Sequence, residues 1–100
     1  MSISDVQLKG SRYEIFDEYG KKIDDVSSSI GELMGIGLDF FVVSNGSRYV
    51  TYDDGGAKID DNSDSIGDII TVAGLSISVR NGSRIATYDK NWNKKGDRSA

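Results

Sequence analysis

Cysteine, histidine and proline are all absent from this sequence of 100 residues. Their absence removes disulfides, zinc-thiolate centres and the Ser-His-Asp and Cys-His pairs of common hydrolases. A chain of this length folds as one domain that buries about two-thirds of its unfolded surface, which leaves no room for a catalytic domain beside a regulatory one. Long apolar runs are missing as well, the longest being Phe40 to Val43. The start, Met1-Ser2-Ile3-Ser4-Asp5-Val6, has neither the basic residues nor the apolar core of a secretory leader, so neither leader nor membrane span is expected. Basic residues number 12 against 16 acidic ones, a net charge of -4. That balance speaks against nucleic-acid binding, which needs a basic face for phosphates. A chain without thiols keeps no record of its redox compartment; the cytoplasm is favoured, and localisation otherwise stays open.

What the sequence has in quantity is aspartate, serine and glycine: 13 Asp against 3 Glu, with 14 Ser and 12 Gly. These residues compete with helices and favour turns, so an all-β chain is expected. The basic end, Lys90, Lys94, Lys95 and Arg98 against Asp97, reads as a solvated and frayed terminus.

Self-similarity at a fixed spacing is the dominant signal. Gly10-Ser11-Arg12, Gly46-Ser47-Arg48 and Gly82-Ser83-Arg84 stand 36 residues apart, and residues 10–45 match 46–81 without gaps at 16 of 36 positions. A third, partial copy starts at Gly82, and residues 1–9 look like the end of a copy otherwise missing. Each copy reads as four short strands. The first is β-branched and aromatic (Arg48 to Asp53), and the second is polar (Lys58-Ile59-Asp60-Asp61). A serine-rich link leads to the third and most apolar strand, Glu32 to Ile36 or Asp68 to Val72, and the fourth is Phe40 to Ser44 or Ser76 to Arg80. The fourth ends in Asn45-Gly46 or Asn81-Gly82, a two-residue hairpin signal, and so folds back on the first strand of the next copy.

The structural unit therefore straddles the repeat boundary. It yields a three-strand antiparallel meander at about 2–26 and two four-strand meanders at about 31–62 and 67–97, within a single repeat domain spanning 1–100. A link of about five residues reaches roughly 16 Å, enough to cross a sheet of four strands. The elements Gly-Ser-Arg-Tyr, Tyr-Asp-x-x-Gly-x-Lys-Ile and Ser-x-Ser-Ile-Gly make the chain resemble the short-repeat β-propeller-like proteins of bacteria, most of them uncharacterised. The resemblance implies one four-strand blade per 36 residues and three blades per chain; a β-trefoil-like arrangement is the rival, disfavoured by the short repeat. The third copy departs from the pattern, with Trp92 in place of the loop glycine and Lys95-Gly96 in place of Ile-Asp. That leaves its last strand, and order in the C-terminal tail, open.

Four residues are candidates for ligand binding. Arg12, Arg48 and Arg84 recur at one repeat position and in a ring would form a symmetric set for phosphate, sulfate or a carboxylate; the plainer reading pairs each with a nearby aspartate. Trp92 breaks the symmetry, either as a hydrophobic cap or as a stacking platform for a glycan. Asp60, Asn62 and Asp64 alternate like the start of a calcium loop, but Ser65 and Thr71 stand where its glycine and glutamate belong, so no metal is assigned. Glu14, Glu32 and Tyr19 are the places where carboxylate-dependent glycosidase chemistry would be sought. No catalytic residue is assigned and no cofactor is expected.

The function expected is a non-catalytic β-repeat binding or interaction module, with a purely structural self-assembling protein as the alternative and a glycosidase-like enzyme a distant third. Three blades are too few to close a ring, and apolar sides on the first and last blades would be left in water. The sequence therefore predicts a homodimer closing a six-bladed ring, with Leu33, Met34, Ile36, Ile69, Ile70 and Val72 near its axis.

Overall fold

The computed structural model describes residues 2–99. Its strands are β1 (Ile3–Lys9), β2 (Arg12–Asp17), β3 (Lys22–Ser27), β4 (Glu32–Ile36), β5 (Phe40–Ser44), β6 (Arg48–Asp53), β7 (Lys58–Ser63), β8 (Asp68–Ala73), β9 (Ser76–Asn81), β10 (Arg84–Tyr88) and β11 (Lys94–Ser99). They form three antiparallel meanders in the orders β1-β2-β3, β4-β5-β6-β7 and β8-β9-β10-β11. The chain is thus all-β, in the three-, four- and four-strand units expected from the repeat. None of the sheets closes on itself among the described residues. The C-terminal tail, left open by the sequence, pairs with β10 from Tyr88↔Lys94 to Arg84↔Ser99.

The serine-rich links are short 3-10 turns. Ser27 and Ser63 each accept the N–H two residues on, from Ser29 and Ser65, which starts the turn on its own hydroxyl. Gly31 and Gly67 end the turns at φ 140° and 130°, where an added Cβ would fall 2.4 Å from the Ser44 carbonyl oxygen and 2.3 Å from that of Arg80. Only glycine lets the link pass so close to the neighbouring strand.

The second sheet lies between the other two, and β5 shows how. Its unbroken apolar run is divided by strand alternation. Phe41 and Val43 join Val50, Ile3, Val6, Tyr13 and Ile15 in one core against the first sheet. Phe40 and Val42 join Tyr49, Ile77, Val79 and Trp92 in a second core against the third sheet. Tyrosine hydroxyls tie the layers together: Tyr13 donates to the Gly31 carbonyl at 2.7 Å, and Tyr49 donates to that of Gly67 at 2.7 Å. Ile85 stands at the third equivalent position.

The strands that begin the second and third sheets, β4 and β8, run close together. A Cβ on Gly35 would meet Val72 Cγ2 at 2.4 Å. Backbone bonds join the ends of the units there, Ile3 N–H donating to Leu38 and Leu38 N–H to Gly74, both at 2.7 Å. Of the residues expected in this region, Leu33 and Ile36 pack on the first core and Ile69 and Val72 on the second, while Met34 and Ile70 remain partly exposed.

The outward sides of the stack differ from expectation. Those sides were expected to be apolar. On the first sheet, Asp5 and Gln7 alternate with buried Val6, and Gln7, Glu14 and Asp25 stand in register on the outward face. On the third, Ser76, Ser78 and Arg80 alternate with buried Ile77 and Val79, and Arg80, Ile85 and Arg98 form a row. Asp5, Gln7 and Glu14 thus stand at one end where the second sheet has Phe41, Val43 and Val50, and Ser76 and Ser78 at the other where it has Phe40 and Val42, with Ile85 in the place of Tyr49. Terminal units of a repeat stack need such faces to stay in water.

Candidate functional site

Each candidate arginine begins the last strand but one of its own sheet and is met by a carboxylate 13 residues on. Arg12 Nη2 lies 2.6 Å from Asp25 Oδ1, Arg48 Nη2 lies 2.8 Å from Asp61 Oδ1, and Arg84 pairs with Asp97. A lysine completes each set: Lys22 to Asp25 at 2.7 Å, Lys58 to Asp61 at 2.6 Å and Lys94 to Asp97 at 2.8 Å. The hairpins bring residues i, i+10 and i+13 to one sheet face, and the 36-residue period repeats the set three times. Glu14 extends the first one, 3.4 Å from Lys22.

These contacts set the charges of the aspartates. The Arg48 guanidinium, and then the Lys58 ammonium, hold the Asp61 carboxyl down at about 2. Asp25 is lowered chiefly by its hydrogen bond from Lys22 and then by Arg12, and Asp97 by Lys94 and then Arg84. An anion arriving at any of the three arginines meets a guanidinium that already carries a carboxylate. The arginines sit on three separate sheets, each with its own partners. Arg84 also lines a hollow of about 370 Å³ with Ile66, Asn81, Tyr88 and Lys94.

Trp92 is 7 % exposed. Its ring stacks on Tyr49 of the second sheet, centroids 6.0 Å apart, and meets Tyr88 at 5.9 Å. The aromatic face is therefore occupied by protein, and its Nε1 is buried without a hydrogen-bond partner. Around it the third sheet is fastened to the second. The buried Thr51 hydroxyl donates to the Lys90 carbonyl at 2.6 Å, and Lys90 Nζ reaches Asp39 at 2.9 Å.

The remaining polar candidates serve local structure. Asp60 and Asn62 accept the N–H of the next residue, Asp61 at 2.8 Å and Ser63 at 2.9 Å. Among the described residues no group of three or more acidic side chains is placed to hold a metal ion. Glu14, Glu32 and Tyr19 lie on β2, on β4 and in the β2–β3 loop, and Tyr19 is 87 % exposed. No helix among the described residues is long and apolar enough to cross a membrane.

Two further features recur with the 36-residue period. One is the lysine and aspartate 10 and 13 residues after each arginine, whose signal was the same 36-residue period. The other is Asp17, Asp53 and Asp89, each of which accepts two loop N–H groups with one oxygen: Tyr19 and Lys21, Gly55 and Ala57, Asn91 and Asn93. These bonds hold Asp89 below the usual carboxylate range, the Asn93 N–H contributing most. No family model matches the chain, and no curated protein matches it significantly.

Proposed function

We propose that this protein is a non-catalytic interaction module of propeller-like build, and that its first partner is a second copy of itself. The observation that carries the reading is the pair of uncovered sheet faces. The outward face of the first sheet presents Asp5 and Glu14, and that of the third presents Arg80 and Arg98. They are the repeat equivalents of faces already in contact inside the chain, so the geometry that seats one sheet on the next also seats the third sheet on the first sheet of another copy. Two such contacts close a six-sheet ring around the strands that begin each sheet.

Two departures from the repeat support the same arrangement. Tyr13 and Tyr49 reach the start of the opening strand of the following sheet, and Ile85 has no hydroxyl to do so. In the ring the following sheet is the first sheet of the second copy, which has no such opening strand. The contact brings Arg80 and Arg98, beside Ile85, to a face where Asp5 and Glu14 stand with the Arg12, Lys22 and Asp25 set, so it is sensitive to charge and weakened by salt. Small anions or glycans are secondary partners, since Arg12, Arg48, Arg84 and Trp92 are engaged by protein groups.

A purely structural, self-assembling role is the second reading, favoured by one observation. The two outward faces differ, so the contact is heterologous and makes an open filament wherever the rotation per copy fails to close. Sedimentation equilibrium at low salt separates the cases. The module predicts twice the 10.9 kDa chain mass, dissociating as salt is raised. Arg80→Glu is expected to weaken the dimer and Glu14→Arg in the same chain to restore it. A folded monomer at millimolar concentration in low salt overturns the dimer, and mass growing without limit favours the filament.

A further inference from the structure

The outer edges of the three sheets are finished differently. In an antiparallel ladder, alternate residues of an edge strand point their N–H groups away from the sheet, where another strand can capture them. On β3, β7 and β11 the repeat puts Asp25, Asp61 and Asp97 at one such position and Ser27, Ser63 and Ser99 at the next. Asp24 turns its own carboxylate onto the Asp25 N–H at 2.8 Å. Asp60 does the same for Asp61 and Asn62 for Ser63. The inward edge of β1 is treated alike, Asp5 accepting the Val6 N–H at 2.9 Å. On β11 the residues at the two capping positions are Gly96 and Arg98, which offer no acceptor. The N–H groups of Asp97 and Ser99 are left facing outward on a strand exposed along its whole length.

That uncapped edge is also the basic one. β11 carries Lys94, Lys95 and Arg98 in a chain of net charge -4. Lys94 is spent on Asp97; Lys95 and Arg98 flank a depression of about 270 Å³ whose other walls are Thr87, Gly96 and Asp97. A second β11 laid antiparallel on the first so that Asp97 pairs with Ser99 would set Arg98 against Arg98, and pairing Asp97 with itself would oppose two carboxylates, so that contact is repelled, whereas an acidic strand would be attracted by Lys95 and Arg98.

We propose that the outer edge of β11 is a docking edge for an extended acidic peptide segment, which adds to the third sheet as a fifth strand. Main-chain bonds to Asp97 and Ser99 supply the binding, and Lys95 and Arg98 select the charge. The outward N–H groups of Asp97 and Ser99 lie on the edge of the sheet and not on the face offered to the second copy; Arg98 serves both, so the edge is tested at Gly96 and the dimer at Arg80, and either can fail without the other.

The test turns on Gly96, where an added Cβ meets nothing within 4 Å. The probe is the blocked peptide acetyl-Thr-Glu-Val-Asp-Val-Glu-amide, with a twin carrying lysine at every acidic position. Titration followed by amide NMR is expected to slow exchange of the Asp97 and Ser99 N–H groups, with the lysine twin inactive. Gly96→Asn supplies a neutral cap like those of the other edges and is expected to weaken binding about tenfold, the change that losing one such bond produces. Gly96→Ala adds bulk without an acceptor and keeps the affinity. Absence of binding, equal binding of the twin, equal loss in Gly96→Ala and Gly96→Asn, or protection confined to other strands overturns the proposal. So does a β11-to-β11 dimer abolished by Gly96→Asn, which would make the occupant a second copy.

Discussion

Trp92 occupies the left-handed loop position that Gly56 holds one repeat earlier, with φ 63° against 80°. Gly20 holds it two repeats earlier at 77°, so the third copy keeps the loop and changes only the residue. A side chain in this conformation costs about 1–2 kcal/mol. What it gains is a position over Tyr49, closing the core between the second and third sheets.

The balance predicts the sign of a substitution. Trp92→Gly relieves the backbone but gives up a buried aromatic that contributes about 3–5 kcal/mol, a net loss of about 2 kcal/mol. Thermal unfolding should shift down by about 10 °C. An unchanged or raised midpoint would show that the ring adds nothing to the core. Emission from this single tryptophan should be blue-shifted and poorly quenched by iodide in the native protein.

Thr51→Val removes the buried donor to the Lys90 carbonyl with little change of shape, leaving a half-buried acceptor without it. A loss of about 1–3 kcal/mol is expected, read by urea unfolding, and Thr51→Ser should recover most of it. Equal behaviour of the two variants would assign the effect to packing.

Gly35→Ala drives a methyl into Val72 where β4 and β8 meet, at an expected cost of about 1–3 kcal/mol. The obstacle is the Val72 side chain, its Cγ2 at 2.4 Å and its Cβ at 2.7 Å, so Val72→Gly should relieve it and Val72→Ala only in part. A double-mutant cycle is expected to give a favourable coupling of at least about 0.5 kcal/mol; strict additivity would mean that the two strands do not approach closely in solution. Gly31→Ala, which meets the Ser44 backbone, should have no such rescue.

Asp61 sets an acid-side dependence. Its carboxyl is held at about 2 by Arg48 and Lys58, below an unfolded value of about 3.9. The contribution is fully present above the unfolded value and is lost as pH falls through about 2. Asp61→Asn should therefore be less stable at neutral pH and show a flatter stability curve between those values. Asp25→Asn and Asp97→Asn should act in the same direction. A curve of unchanged slope in all three would show that the ion pairs are not held in solution.

Strand limits and sheet membership were legible in the sequence because they are settled within a few residues. Asn45-Gly46 turns the chain wherever it lies, and the β-branched and aromatic run from Arg48 to Asp53 needs no distant partner to be read. The 36-residue period extended this local reading to the meanders, and even the three-strand first sheet could be counted. Arg48 could be read as the partner of some aspartate, but the choice of Asp61 depends on hairpin register across an irregular pair between Thr51 and Tyr52. That register is a property of two strands together.

What only the tertiary structure decided concerns surfaces shared between sheets. Trp92 could have been a platform or a cap, and stacking on Tyr49, 43 positions away in a different sheet, put it inside. The repeat alone predicts apolar outward faces, because neighbouring copies have them, yet Asp5, Gln7, Ser76 and Ser78 face outward once the stack assigns a direction to each strand. A strand's sequence states which residues alternate; which of the two sets meets another sheet depends on where that sheet lies. Sheet order is set by desolvation of whole faces, an interaction that local turn and strand preferences do not contain.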